Sequence, residues 1–367
     1  MKQGKISALQ LFYVMIGFEI GNSIIFGTAA GAKQDAWLAI LLSMLCGLIL
    51  MWIYTKLSDY YPGETLVQML PKIIGKFLSY PLIVIYALYF LYLACTACRD
   101  FGELIASTIL TETPMILVIG IFMVLIVYCL RGGIEAFGRM GEIVFPIYVL
   151  ILVTLWILML VGAEFDSRRL TPVLGNGIQP VLGAAFPPVQ STLTFPFGET
   201  VLITMLFPVL NNKNNIKKVG MATILIGGIL LAVNSIIVIS VLGPDIYGKE
   251  FFPFFTAAQM VSIADFLERF DALIIVMIVS GVFFKVGGWI YGSSIIISQL
   301  FKLKSNDSIL IPLGVMVTSF SILLATSFIE HLEIALNFIG PYLHIPLQLV
   351  LPILLLGIAY TRKKFQA

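Results

Sequence analysis

The chain has 367 residues, of which 59% are hydrophobic and 11% charged, and its mean hydropathy is +1.02. That balance leaves no material for a soluble surface, so a soluble enzyme or binding domain is excluded and a polytopic membrane protein is expected. A net charge of +2 gives no nucleic-acid footprint, and Cys46, Cys95, Cys98 and Cys129 within apolar runs, with only His331 and His344 as histidines, point to neither a disulfide framework nor a metal site.

Apolar runs of about 20 residues recur from end to end, each long enough to cross a hydrocarbon core of about 30 Å. The pattern predicts about ten spans, at residues 7–30, 37–57, 80–110, 114–130, 143–161, 182–210, 219–242, 272–300, 309–328 and 339–360. No connection is long enough for a second domain, so residues 1–367 read as one transmembrane domain.

The first span holds a glycine-rich, charge-bearing interruption, Gly17-Phe18-Glu19-Ile20-Gly21-Asn22-Ser23-Ile24-Ile25-Phe26-Gly27. A membrane helix breaks at mid-depth only where the freed backbone is buried in protein or lines a polar cavity. Gly17, Glu19, Gly21, Asn22, Ser23 and Phe26 are therefore candidate ligand-binding residues. Lys2 and Lys5 before this run and Ala30-Gly31-Ala32 after it have the outline of a signal peptide, but Glu19 and Asn22 inside the run argue for a retained span.

After the second span, Pro62-Gly63-Glu64 precedes Leu66, Met69, Leu70, Ile73 and Ile74, whose spacing predicts a helix along the inner membrane surface. The third run ends in Arg99-Asp100-Phe101-Gly102-Glu103, with Arg99 and Glu103 placed as i, i+4 neighbours near the outer interface. They read as a solvated ion pair at a helix end or as an outer gate. Residues 131–139 are expected as the turn between spans four and five, and the turn-rich outer segment 163–181 marks the midpoint. About five spans lie on each side. An odd number per half forces the second half to enter from the opposite face, the condition for an inverted repeat with halves near 7–163 and 182–360.

The sixth span is interrupted by Thr194-Phe195-Pro196-Phe197-Gly198-Glu199-Thr200. Two interrupted segments in corresponding positions of two halves point to a transporter-type site, which adds Phe195, Phe197, Gly198 and Glu199 to the candidates. The outer connection 243–271, with Phe251-Phe252-Pro253-Phe254-Phe255, suits an interfacial cap or lid. In the eighth span Gly281, Lys285, Gly288 and Gly292 recur at helical spacing, so a small-residue stripe carries one ammonium at about mid-membrane. Such a charge needs a buried partner and is a candidate functional group. Threading ten spans gathers Lys2, Lys5, Lys56, Lys72, Lys76, Arg131, Arg139, Lys213, Lys217, Lys218, Lys302, Lys304, Arg362, Lys363 and Lys364 on one face, whereas Lys33, Arg168, Arg169, Lys249 and Arg269 fall on the other, which puts both termini in the cytoplasm.

Gly17, Ile20, Gly21, Ile24 and Ile25 resemble the first-helix pattern of the amino acid–polyamine–organocation superfamily, and Phe195, Phe197, Gly198 and Glu199 resemble its aromatic-aromatic-Gly-acidic break in helix six. The resemblance implies an all-α polytopic membrane protein with about ten transmembrane helices, a LeuT-type 5+5 inverted repeat with broken helices 1 and 6. Length, Lys5-Ile6-Ser7-Ala8-Leu9-Gln10-Leu11 and Pro62-Gly63-Glu64-Thr65-Leu66 are similar, more narrowly, to the spore-germination receptor B-subunit family. That family implies a ligand-sensing subunit of a nutrient germinant receptor in the spore inner membrane, beside an A subunit and a C-subunit lipoprotein, without a cofactor. Two positions depart from the carrier pattern: Glu19 adds a carboxylate to the first break, and helix five has no lysine where proton-coupled members can place one, while Lys285 lies in helix eight.

If the fold holds, backbone N–H groups near Gly21, Asn22 and Ser23 favour a ligand carboxylate. Carbonyls at 195–198 with Glu199 favour an ammonium, and Phe26, Phe195 and Phe197 form apolar walls. A small zwitterion, most simply an amino acid, is the expected ligand, and Lys285 is a candidate surrogate for a coupling ion. A proton-coupled amino acid transporter is the alternative. An intramembrane enzyme ranks last, for want of a paired-carboxylate, His-rich or nucleophile constellation.

Overall fold

The computed structural model describes residues 4–187, 191–260 and 271–364, so Lys2, Arg269 and the stretch 261–270 of the outer connection lie outside the described residues. The chain opens on α1 (Ala8–Ile20), which starts from a capping box in which Ser7 accepts from the Gln10 N–H and the Gln10 side chain accepts from the Ser7 N–H. It stops at Gly21, and turns fill the interruption expected there. The first half continues through α2 (Ala36–Tyr60), α3 (Leu66–Ile74), α4 (Lys76–Thr108), α5 (Met115–Arg131) and α6 (Gly133–Val161).

The second half opens on α7 (Gln179–Ala185), breaks, and resumes as a 3-10 turn, Phe197–Leu202, leading into α8 (Ile203–Leu206). Then follow α9 (Ile216–Leu242), the outer helices α10 (Pro244–Lys249) and α11 (Pro253–Gln259), α12 (Asp271–Leu300) and α13 (Asp307–Leu323). The last span runs from α14 (Phe328–Ile334) through a π-helical stretch, Ala335–Val350, to α15 (Leu351–Lys364).

Among the described residues, 6 helices are long and apolar enough to cross a membrane, and shorter apolar helices at Ala8–Ile20, Met115–Arg131, Phe197–Val209 and Asp307–Leu323 complete the ten expected spans. Spans two and seven (α2, α9), and likewise three and eight (α4, α12), occupy corresponding places in the two halves and form the most extensive helix contacts. At the centre α1 packs against α9, α12 and α6.

The glycine stripe of α12 is what lets it reach α1. A Cβ on Gly281 would stand 2.7 Å from the Gly21 carbonyl, one on Gly17 would stand 2.7 Å from the Phe284 ring, and Gly288 receives Phe18. Two local expectations are revised. Residues 133–139 are helical, because the turn is confined to Gly132-Gly133, where Gly133 has φ +80°. The extension is held by the N-terminal segment: the Lys5 N–H donates to Glu135 Oε1 at 3.3 Å and Gln10 Nε2 to Glu142 Oε2 at 3.2 Å. Helix α3 forms at the expected residues, and its apolar face, Met69, Leu70 and Ile73, is covered by α4, α8 and α15, so protein and not lipid buries it.

Candidate functional site

The break in span one keeps part of its backbone ladder, since the N–H groups of Gly21, Ile24 and Ile25 bond to the carbonyls of Gly17, Ile20 and Asn22. The Ile24 carbonyl is taken instead by Asn234 Nδ2 of α9 at 2.9 Å, and Asn234 Oδ1 is held by Trp156 Nε1 of α6 at 3.0 Å. A freed polar group at this depth is thus satisfied by a neighbouring helix. The break in span six contains a cis Phe195-Pro196 bond, and its Gly198 N–H returns to the Leu193 carbonyl at 2.8 Å. Tyr54 of α2 donates to the Gln348 carbonyl at 2.7 Å and lies 3.3 Å from that of Gly198, which ties this break to the last span.

Lys285 of α12 joins the two breaks. Its Nζ lies 2.5 Å from Glu199 Oε2, 3.4 Å from Ser23 Oγ and 4.3 Å from the centre of the Phe195 ring. The lysine is 1% and the glutamate 3% exposed. Two charges so deeply buried persist because each neutralises the other, and the ring face beneath the ammonium adds a cation–π attraction.

A cavity of about 710 Å³ is lined by this pair and by the connection after α9. The size is that of a small-molecule site. Of the residues expected to bind ligand, Asn22, Phe26, Phe195 and Glu199 line it, together with Lys285. The other candidates lie behind the wall. Gly17 and Gly21 are the close-approach points beneath α12, and Ser23 sits under the Lys285 amine. Phe197 packs on Gly47, and Gly198 meets the Gln348 side chain. Glu19 is fully buried against Gly227 of α9, and neither of its carboxylate oxygens has a hydrogen-bond partner among the described residues.

The outer rim holds groups that the sequence did not single out. Asp100 of α4 accepts from Asn22 Nδ2 at 2.8 Å and lies 3.1 Å from His331 Nε2 of α14, so one carboxylate joins spans one, three and ten. Arg99 and Glu103 do pair, at 3.5 Å, but Arg99 is buried and donates to the Ile322 carbonyl of α13 at 3.1 Å. Arg99 is therefore packed while the Glu103 side chain stays 27% exposed, and neither residue lines the cavity. Overhead, Tyr247 of α10 donates to the Thr28 carbonyl at 2.9 Å, and Phe252 packs 5.7 Å from Phe26 and 5.5 Å from Phe328. In the described part of this connection, Tyr247, Gly248, Lys249, Glu250 and Phe251 line the cavity. Below, His344 lines the wall with its Nδ1 2.6 Å from the Tyr89 hydroxyl.

Asn234 left a signal in the sequence, a lone amide in an apolar span. Asp100 stood in a motif read only for its flanking ion pair, and His331 left none.

Residues 5–329 match the family described as spore germination protein. The chain belongs to the spore germination protein family. Within that family it is similar to spore germination protein KB of Bacillus subtilis, 36% identical over 364 residues that cover 99% of this chain and 97% of that one. It is also similar to spore germination protein YndE of the same organism, 28% identical and covering 98% of both chains. Among solved structures, MhsT in complex with L-phenylalanine superposes with a TM-score of 0.68 over 98% of this chain and 90% of that one, at 14% identity. Mhp1, a nucleobase-cation-symport-1 family transporter with bromovinylhydantoin bound, gives 0.63 over 90% and 74%, also at 14%. The germination family member described here is a multi-pass membrane protein with the LeuT-type fold of these transporters.

Proposed function

We propose that this chain is the ligand-sensing membrane subunit of a nutrient germinant receptor. A small zwitterion such as an amino acid enters the cavity from the outer side, and occupancy triggers spore germination through an A subunit and a C-subunit lipoprotein. The site lies in the inner membrane of the spore, with both termini cytoplasmic. Asn22, Phe26, Phe195 and Glu199 contact the ligand, while Gly17, Glu19, Gly21, Ser23, Phe197 and Gly198 shape and support the wall.

The observation that carries this reading is the Lys285–Glu199 pair, 2.5 Å apart where the two breaks meet beneath the cavity. A carrier driven by ions must load a cation at such a place and release it again. A tethered ammonium fills the place without leaving, so Lys285 acts as a permanent surrogate for a coupling ion. What remains is a ligand that binds one arrangement of the breaks better than another and shifts their populations. The fold's likeness to transporters favours the second reading, a proton-coupled amino acid transporter.

Purified protein in proteoliposomes, offered each labelled proteinogenic amino acid with and without a proton gradient, separates the two. Saturable binding without sustained uptake is expected. Gradient-driven accumulation at carrier rates would establish the transporter instead.

A further inference from the structure

Among the described residues, three charged side chains line the cavity besides the Lys285–Glu199 pair and the two histidines: Asp100, and the exposed Lys249 and Glu250. Glu199 already has an ammonium at 2.5 Å, so a second cation at that carboxylate would sit beside Lys285 and be repelled. A ligand that carries both charges must therefore find its negative partner elsewhere.

Asp100 answers that need. It lies one and two helical turns from Thr96 and Tyr92 on α4, and all three line the cavity, so helical register turns the carboxylate inward. Asn22 holds one of its oxygens at 2.8 Å and His331 the other at 3.1 Å. A carboxylate has about four lone-pair sites, so two remain for a ligand after both bonds are made. The neighbouring guanidinium does not cancel its charge, because Arg99 is engaged by Glu103 and by the Ile322 carbonyl.

We infer that Asp100 is the ammonium-recognising residue of the cavity, and that the ligand lies with a primary amine at the rim formed by Asn22, Asp100 and His331. This rests on the reading of the cavity as a small-zwitterion site and reassigns the ammonium partner from Glu199 to Asp100. An amine bound there adds a third hydrogen-bonded partner to the carboxylate that joins spans one, three and ten, so binding is read directly by the elements that must move.

The test uses the full chain purified in detergent and its thermal melting with the proteinogenic L-amino acids one at a time, each beside its N-acetyl derivative. N-acetylation is expected to abolish every stabilising shift, and Asp100→Asn to weaken the affinity of each binding amino acid roughly ten- to a hundredfold, the range for a hydrogen bond to a charged group. The N-acetyl comparison needs no variant and tests the ammonium requirement itself, while Asp100→Asn, with Asp100→Glu as the charge-keeping control expected to retain binding, assigns that requirement to Asp100. An Asp100→Asn variant of unchanged affinity overturns the inference and leaves the zwitterion site in place, whereas an N-acetyl derivative that binds as tightly as its parent overturns both. A wild-type protein that no amino acid stabilises overturns both.

Discussion

Removing the ammonium of Lys285 tests the centre of the site. Lys285→Met keeps much of the side-chain volume but leaves Glu199, 3% exposed, with its cation gone. Taking one partner from a buried pair costs about 3–5 kcal/mol, because the remaining charge is uncompensated. Loss of the contact over Phe195, 4.3 Å from ammonium to ring centre, removes a further attraction that reaches about 2 kcal/mol when desolvated. Glu199→Gln should be destabilising in the same way, since it strands the ammonium between Ser23 and Phe195. The double variant leaves neither charge, so its loss should fall short of the sum of the single losses by about 1–3 kcal/mol. Unfolding in detergent can be followed by tryptophan fluorescence, because Trp289 lies one turn from Lys285 and packs against Phe18 and Phe90 at 4.9 and 4.8 Å. Additive losses would refute the pairing argument, and so would a Lys285→Met protein as stable and as ligand-responsive as the parent.

Two other outcomes are expected. Asn234→Leu strands the Ile24 carbonyl and the Trp156 N–H, at about 1–3 kcal/mol for each group left unpaired, and should lower the melting point and the ligand response together; an unchanged melt would show that the break does not depend on that amide. A cysteine at Asn214, in the turn before α9, should react with impermeant thiol reagents only from the cytoplasmic side, and labelling from outside would overturn the threading of all ten spans.

The spans were legible in the sequence because a bilayer demands about 20 apolar residues per crossing, a requirement composition alone reveals. Both breaks were legible for a related reason: glycines beside a carboxylate have no place in a lipid-facing helix. The partner of Lys285 was not, since Glu19 and Glu199 are equivalent by composition and depth. The packing of α12 on both breaks settles it, bringing Glu199 to 2.5 Å, while the register of α1 turns Glu19 to Gly227. Asp100 and His331 are 231 residues apart, and no local pattern announces such a pair. The π-helical stretch was read as ordinary helix, although Pro341 and Pro346 within it each lack the N–H that a regular ladder uses.

The two ends of span one are held differently, and that difference bears on what ligand binding can accomplish. At the face carrying the N-terminus, the Ile6 N–H donates to the Val209 carbonyl at 2.9 Å and the Asn211 N–H to the Ile6 carbonyl at 3.0 Å, so the start of span one is stitched to the end of span six. Lys5 and Gln10 add bonds to Glu135 and Glu142 of α6. On the other side of the break, Asn22 meets Asp100 and Phe26 lies under Phe252, around the cavity itself. The stitched end is therefore held by backbone bonds to span six, whereas the opposite end is built from contacts around the cavity. Each bond of the stitch contributes only about 1 kcal/mol net, so the bias towards this arrangement amounts to a few kcal/mol. A ligand that prefers one arrangement by a comparable margin can reverse such a bias, and one with equal affinity for both cannot, however tightly it binds. Recognition at the rim and the stitch thus act on opposite ends of span one, Asn22 to Phe26 and Lys5 to Gln10, with the Gly21 break and Lys285 between them.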